Sequence, residues 1–472
     1  MSPTQTAHPE IHWRRTAPSV APRAVLLPAG LLAVAVVSLL PTRAPATDPT
    51  AWLIWGRELA HGTLTTTGGP SWKPLAVAVT TLLAPLGQEP AAAGWLVVSR
   101  VGGLAALVLA ARVARRLGGG RAGGIAAAVL LALATDFLYD AARGGSEGIV
   151  VALALGAVDL LLRGRAAAGF AVGAAAALLR PEIAPLLVVA GVLLLRRPAR
   201  RSRTALLVGG AGAAVVALWV VPERIGSGDW LGAATRAELP VSDTPGTSAF
   251  PFLMTLVSGA TVLALPAWLG ALQAVVDAWR ARPRPLEDRL VLALAGAAAL
   301  MTLIVAGLAQ VAFTGNNRYL QLPAALVCVV AGVGLPRLAP RVRAAGQPVV
   351  ALAALLLAAA SVATSAFLLT QRAIRLVDYY QRAYGHDLPE LIARAGGGGA
   401  VRRCGPVGAS LLQRMAVAWR LRLRTDQVLA GIDPRARTVI ALGGTDAGRH
   451  AAAPVRLRLG PWVLRSACRP QA

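Results

Sequence analysis

Apolar residues in this chain gather into long unbroken runs, not into the alternating or one-faced patterns of soluble strands and helices. Runs lie at 24–41, 91–111, 122–140, 147–162, 166–180, 182–195, 204–222, 251–276, 290–311, 319–335 and 347–369. Many reach the roughly 20 residues that carry a helix across a bilayer core, and together they predict about eleven transmembrane helices. One more apolar stretch, 74–87, has only 14 residues and contains Pro74 and Pro85. It predicts a helix lying on or dipping into the membrane surface.

The polar segments between the runs set the threading. With the N-terminus inside, the inside segments hold Arg14, Arg15 and Arg23; Arg112, Arg115, Arg116 and Arg121; Arg163 and Arg165; Arg196, Arg197, Arg200, Arg201 and Arg203; Arg280, Arg282, Arg284 and Arg289; and Arg337, Arg341 and Arg343. They carry 21 basic residues, against 8 in the outside loops before residue 370. This is the positive-inside asymmetry, and counting 74–87 as a full span would invert every later loop. The expected organisation is a cytoplasmic tail, 1–23, and a transmembrane region, 24–369, whose long outside loop 42–90 carries surface helices. An extracytoplasmic C-terminal domain, 370–472, follows. A multi-pass plasma-membrane protein with its C-terminus outside is the result.

The C-terminal domain opens with an amphipathic segment around Asp378-Tyr379-Tyr380. A flexible Gly396–Gly399 run follows, then strand-like pieces at Thr438–Leu442 and Val455–Leu459. The fold class expected is therefore an all-α polytopic membrane protein with a small α/β cap. No internal repeat is visible, which removes support for an inverted-repeat transporter.

Composition narrows this further. Of 472 residues, 56% are hydrophobic and 15% charged, where soluble domains carry about a quarter charged residues. An ordinary cytosolic enzyme is excluded. A net charge of +25 would suggest nucleic acid in a soluble protein, but here loop arginine accounts for it and no nucleic-acid partner is expected. Lys73 is the single lysine among 47 basic residues, a bias typical of a GC-rich genome that makes this one lysine a candidate. Cys328 lies in an apolar run as a packing residue. Cys404 and Cys468 stand in the polar C-terminal region as a candidate disulfide, which requires an oxidising compartment. The five histidines are scattered and no C-x-x-C pair occurs, so no zinc site is expected. The first run is followed by Pro41-Thr42-Arg43, not by a small-residue cleavage site, so no cleavable signal peptide is expected.

Ionisable groups at membrane depth are functional candidates by default. Here they fall at the outer ends of helices or in outside loops. The first loop holds Asp48, Glu58 and Lys73, with Trp52, Trp55 and Leu59 at the spacing of a surface helix anchored by aromatics. Asp48 followed by Pro49 reads equally as a helix cap and as a catalytic carboxylate. The second turn holds Asp140, Arg143, Ser146 and Glu147; Glu147 opens a helix, where the dipole favours a carboxylate. Arg180 and Glu182, which flank Pro181, can pair with each other. Asn316, Arg318 and Tyr319 follow, with Arg318 free to snorkel to lipid head groups. Asp159 pairs by default with Arg163, whereas Arg100 has no obvious partner. Together these groups suit a substrate with a phosphate leaving group.

This ordered set resembles the GT-C glycosyltransferases, polytopic enzymes that use polyprenyl-phosphate-linked sugars. The branch containing the aminoarabinose and mannosyl transferases, with its actinobacterial members, is the nearest in pattern. Asp48 resembles the first-loop acid, base or acceptor-positioning group in that family. Lys73-Pro74 resembles the His/Lys-Pro-Pro motif, with Leu75 in place of the second Pro. Glu147 resembles the second-loop acid, often Asp there, and Arg318-Tyr319 the Arg-Tyr opening a late helix. Arg180-Pro181-Glu182 is similar to a motif of the actinobacterial members. The resemblance covers roughly 24–335 and implies inverting transfer from a polyprenyl-phosphate sugar to a cell-envelope glycan, lipid or protein. Asp48 and Glu147 would be catalytic. Glu58, Lys73, Asp140, Arg143, Arg180, Glu182, Asn316, Arg318 and Tyr319 would bind substrate. No dedicated metal site is expected; a divalent cation between Asp48 and Glu147 is the one cofactor the carboxylates leave open. A transporter or flippase, whose charges would track across mid-membrane, and a non-catalytic envelope scaffold are the rival readings.

Overall fold

The computed structural model describes residues 23–196, 201–238, 244–311, 313–344 and 348–468. The cytoplasmic tail expected at 1–23 lies almost wholly outside them, as do Arg197 and Arg200. Among the described residues, sixteen α-helices carry the chain to residue 374. They are α1 (Arg23–Val37), α2 (Thr47–Ala60), α3 (Pro74–Leu83), α4 (Gln88–Ala114), α5 (Gly120–Ala132), α6 (Phe137–Ala142), α7 (Glu147–Leu162) and α8 (Ala166–Ala177). The series continues with α9 (Ala184–Leu195), α10 (Arg201–Ser227), α11 (Gly232–Ala237), α12 (Pro251–Thr261), α13 (Leu265–Arg280), α14 (Leu286–Gln310), α15 (Gln321–Ala344) and α16 (Pro348–Ile374).

Every apolar run contains a helix, but not every helix is a straight span. Among the described residues, five helical segments are long and apolar enough to cross a membrane, and the pair α12–α13, bent by 93°, makes a sixth. The count of eleven is thus shown only in part, because several runs fold into helices of 12 to 16 residues. The run 122–140 is broken. Its helix ends at Ala132, and a turn with Asp136 in the left-handed region (φ 66°) leads into α6. The stretch 74–87 forms α3, whose 10 residues rise about 15 Å, well short of a bilayer core.

α15 is the hub, with Ala325, Cys328, Val329 and Val330 fully buried. Its neighbours reach it through glycine. A Cβ on Gly123 of α5 would lie 1.9 Å from the Gly332 carbonyl oxygen of α15, and one on Gly334 would lie 1.9 Å from that of Gly270 in α13. Small residues let helix backbones meet in this way where lipid provides no hydrophobic drive between helices. The outer faces of α10 and α16 are rich in exposed Leu and Val, as lipid contact requires.

α2 departs from expectation. Trp52 and Trp55 do not anchor a surface helix; both are buried, Trp52 edge-on to Trp95 of α4 and Trp55 against Trp72. The reason lies above and below the helix. α3 packs so tightly beneath it that a Cβ on Gly56 would stand 2.5 Å from Thr80 Oγ1. Residues of the C-terminal region cover its other side: Arg57 donates to the Leu423 carbonyl (2.7 Å) and Thr47 to that of Leu412 (2.9 Å).

The C-terminal region holds a five-stranded mixed sheet of β1 (Val407–Ala409), β2 (Val428–Ala430), β3 (Thr438–Leu442), β4 (Val455–Leu459) and β5 (Trp462–Ser466), in the order β2-β1-β3-β5-β4. β1 runs parallel to β2 and β3, and β5 antiparallel to β3 and β4. Both strand-like pieces read from the sequence are strands. The sulfurs of Cys404 and Cys468 are bonded, with Cα atoms 6.0 Å apart, and Cys328 is a buried free thiol. The Gly396–Gly399 run is not a flexible linker. Gly396 and Gly397, at φ 88° and 81°, turn the chain into a helix spanning Gly397–Arg403. Helix also continues past residue 370 through Arg375–Asp387 to Arg394, so the last membrane helix is continuous with the start of the cap.

Candidate active site

Five loops converge where α2, α3, α7 and α15 begin. Asp48 lies in the first turn of α2, yet it does not cap the helix: Ala46 is the N-cap, Thr47 the first helical residue, and no side chain caps. The Asp48 carboxylate instead takes an ion pair from Arg318. Arg318 therefore turns inward to a protein anion and not to lipid head groups. Its guanidinium also lies 5.3 Å from the ring centre of Tyr319.

The second ion-pair system stands beside the first. Glu147, the buried first residue of α7, pairs with Arg180. Arg180 also lies 3.8 Å from Glu182 and 4.3 Å from the Tyr319 ring centre, and donates to the Arg318 carbonyl (3.3 Å). On the far side of Glu147, at 4.0 Å, is Lys73. The extended backbone before Pro74 places Lys73 at the N-cap of α3, as the residue before a proline favours. Its ammonium is buried, donates to Ser146 Oγ (2.8 Å) and lies 4.9 Å from the Trp52 ring centre. Burial, with Arg180 adding to it, pushes its pKa down to about 7, partly opposed by Glu147.

Asp140 lies in α6. Burial, reinforced by Glu147, pushes its carboxyl up to about 8. Arg143 faces an aromatic cage instead of the carboxylate cluster, its guanidinium 4.1 Å from the Tyr380 ring centre and 4.8 Å from that of Tyr139. Glu58 sits apart. It follows Asp48 by ten residues along α2, about 15 Å of rise, and its carboxylate accepts from the Thr65 amide (3.0 Å). Burial pushes Glu58 up to about 7. Asn316 caps the short turn Asn317–Leu320, with a buried and unpartnered Oδ1.

Between these systems lies a small open cleft. Glu147, Arg180, Glu182, Arg318, Tyr319 and Gln321 form its polar wall; Val150, Ile183, Met301 and Leu322 form its apolar wall. Sequence reading missed Gln321, Tyr380 and the apolar wall. Gln321 had a weak signal as the polar residue directly after the Arg318-Tyr319-Leu320 stretch. Arg100 and Asp159 are structural. Arg100 donates to the carbonyls of Ala142 and Thr42, and Asp159 pairs with Arg116 as well as Arg163.

Asp48 pairs with Arg318 and Glu147 with Arg180, and among the described residues no three His, Cys, Asp or Glu side chains gather to hold a metal ion.

No family model matches the sequence, and no curated protein matches it. Solved structures do. Over 94% of this chain and 98% of its own, ArnT from Cupriavidus metallidurans bound to undecaprenyl phosphate is similar, with a TM-score of 0.59 at 16% identity. Its apo form gives 0.58 at 17% identity over 95% of this chain and 98% of that one. The Archaeoglobus fulgidus oligosaccharyltransferase in complex with zinc and sulfate gives 0.50 at 12% identity, over 87% of this chain and 68% of that one. The chain shares the fold of these solved proteins.

Proposed function

We propose that this protein is a membrane glycosyltransferase that moves a sugar from a polyprenyl-phosphate donor to an extracytoplasmic cell-envelope acceptor. The observation that carries the reading is the cleft, with the guanidinium groups of Arg180 and Arg318 on its polar wall and apolar side chains on the other. An amphiphile with a phosphate between a sugar and a hydrocarbon chain fits such a wall pair. The undecaprenyl phosphate bound to ArnT, a protein of the same fold, supports the donor class.

In this reading, the bond between the anomeric carbon and the phosphate oxygen breaks as the bond to the acceptor oxygen forms. Attack from the face opposite the phosphate inverts the anomeric centre. Asp48 takes the acceptor's proton as general base. Arg180, Arg318 and Lys73 hold the negative charge that grows on the leaving phosphate. A phosphate beside Lys73 also favours its ammonium form, offsetting the burial that lowers its pKa. Glu147 holds Arg180 and Lys73 in place. The bonded Cys404–Cys468 pair supports an oxidising, extracytoplasmic side for the cap.

Purified protein in lipid nanodiscs, given a panel of radiolabelled polyprenyl-phosphate sugars and an envelope extract, should transfer label from at least one. Release of the lipid phosphate should fall with Asp48→Asn. Donor turnover that ignores Asp48→Asn, or no turnover of any donor, would overturn the reading.

A further inference from the structure

Gln321, the first residue of α15, is 1% exposed and lies on the wall of the cleft. Its side-chain amide is oriented by one bond: Nε2 donates to the Thr135 carbonyl at 2.7 Å. A carbonyl oxygen accepts only from the NH₂ end, so the opposite end, Oε1, must face away from Thr135. That oxygen is buried and has no protein partner. Glu182 Oε2, on the same wall, is also a buried acceptor without a partner. Both orphaned acceptors belong to residues that line the cleft, together with the donors Arg180 and Arg318, the Glu147 carboxylate and Tyr319. Buried acceptors left unpaired are costly, and native proteins satisfy nearly all of them.

We propose that Gln321 and Glu182 determine specificity by accepting hydrogen bonds from hydroxyl groups of the transferred sugar, while Arg180 and Arg318 take its phosphate. The inference rests on the transferase reading. Gln321 reads the sugar because it is locked in one orientation; a freely turning amide would accept or donate indifferently. A donor lacking the matching hydroxyl leaves Oε1 orphaned, and a site built on hydrogen bonds rejects such an analogue strongly.

Binding in nanodiscs separates the possibilities. Undecaprenyl phosphate without sugar and a set of undecaprenyl-phosphate pentoses and hexoses are titrated against wild type, Gln321→Leu and Gln321→Glu. Wild type should bind at least one sugar-bearing lipid more tightly than the bare one. Gln321→Leu should lose that preference by about tenfold or more, with bare-lipid affinity unchanged. Gln321→Glu keeps an acceptor but loses the NH₂ that bonds to Thr135, so it should keep less of the preference than wild type. An unchanged sugar preference in Gln321→Leu overturns the inference alone, as does a parallel loss for both lipids, which marks general damage to α15. Wild type that binds neither lipid overturns the transferase reading and this inference with it.

Discussion

Asp48 and Arg318, 270 residues apart in the chain, form an ion pair at the site where α2 and α15 begin. The pair holds the carboxylate in place and at the same time presents a guanidinium to the cleft. Substituting Asp48→Asn keeps the side-chain size and removes basicity, so turnover should fall about 10²–10⁴-fold. Arg318 would then lose its charged partner while keeping its contact with Tyr319. A donor-binding measurement on the same variant should change far less than turnover; equal losses in both would make Asp48 a binding residue and not the base.

Glu58 gives a pH signature with a defined sign. Its folded pKa of about 7 lies above the unfolded value of about 4.3. The folded state therefore holds a proton that the unfolded state has lost, and this contribution to stability is present below about pH 4.3 and is lost as pH rises through about 7. Glu58→Gln removes the titration. The variant should melt a few degrees above wild type at pH 8 and together with it at pH 4, by differential scanning fluorimetry in detergent. A constant offset at both values would tie the effect to packing instead.

The segment just before Asp48 is held by the cap. Gln381 Oε1 accepts from the amides of Arg43 (2.6 Å) and Ala44 (3.1 Å), and Tyr380 donates to the Pro45 carbonyl (3.1 Å). Gln381→Ala releases both amides, at about 1 kcal/mol of stability. Because Asp48 follows four residues later, turnover should drop severalfold more than donor affinity. Normal turnover in this variant would show that the cap holds the loop without placing the base.

These contacts mark the boundary of what the sequence discloses. Ionisable residues at the ends of apolar runs stand out by their cost in lipid, so Asp48, Lys73, Glu147, Arg180 and Arg318 were legible one by one. Their pairing was not. Local spacing makes Asp48 a cap and Arg318 a lipid anchor, and only the folded chain brings the first turn of α2 to the turn before α15 and joins them. The burial of Trp52 and Trp55 depends likewise on the cap covering α2. Gln321 is neutral, and its orphaned oxygen exists only once Thr135 has claimed the other end of the amide. The broken runs escaped notice because hydropathy measures composition, whereas the bends at Asp136 and between α12 and α13 are backbone geometry.

The contact of the cap with α2 also fixes which segments share a side. Arg57 and Thr47 bond to Leu423 and Leu412, so the loop 42–70 and the cap lie on one face of the membrane. The arginine asymmetry predicts that this face is the outside. A membrane-impermeant maleimide added to intact cells should label single cysteines engineered at exposed positions in both 42–70 and 440–450. Labelling of either only after lysis overturns the orientation. In the same preparation, non-reducing peptide mapping should recover Cys404 joined to Cys468.

Lys73 offers the sharpest test of the site. The chain uses arginine at every other basic position, yet here it keeps the smaller cation. The structure gives a reason: the ammonium fills a buried space between Ser146, Glu147 and the Trp52 ring, within 2.8 to 4.9 Å of all three. Guanidinium is larger and planar, and fitting it there would displace Trp52 or Ser146, with overpacking of this kind costing about 1–3 kcal/mol. A lysine that only steadied the surface helix by reaching lipid phosphates would accept arginine freely. Lys73→Arg should therefore lose activity nearly as fully as Lys73→Ala, at normal protein levels in the membrane. Its folded pKa of about 7 adds a second signature: with its ammonium needed, donor affinity should fall as pH rises above about 7, and the Lys73→Ala variant should lack that fall. Full activity in Lys73→Arg removes the steric argument, and full activity in Lys73→Ala removes Lys73 from the site.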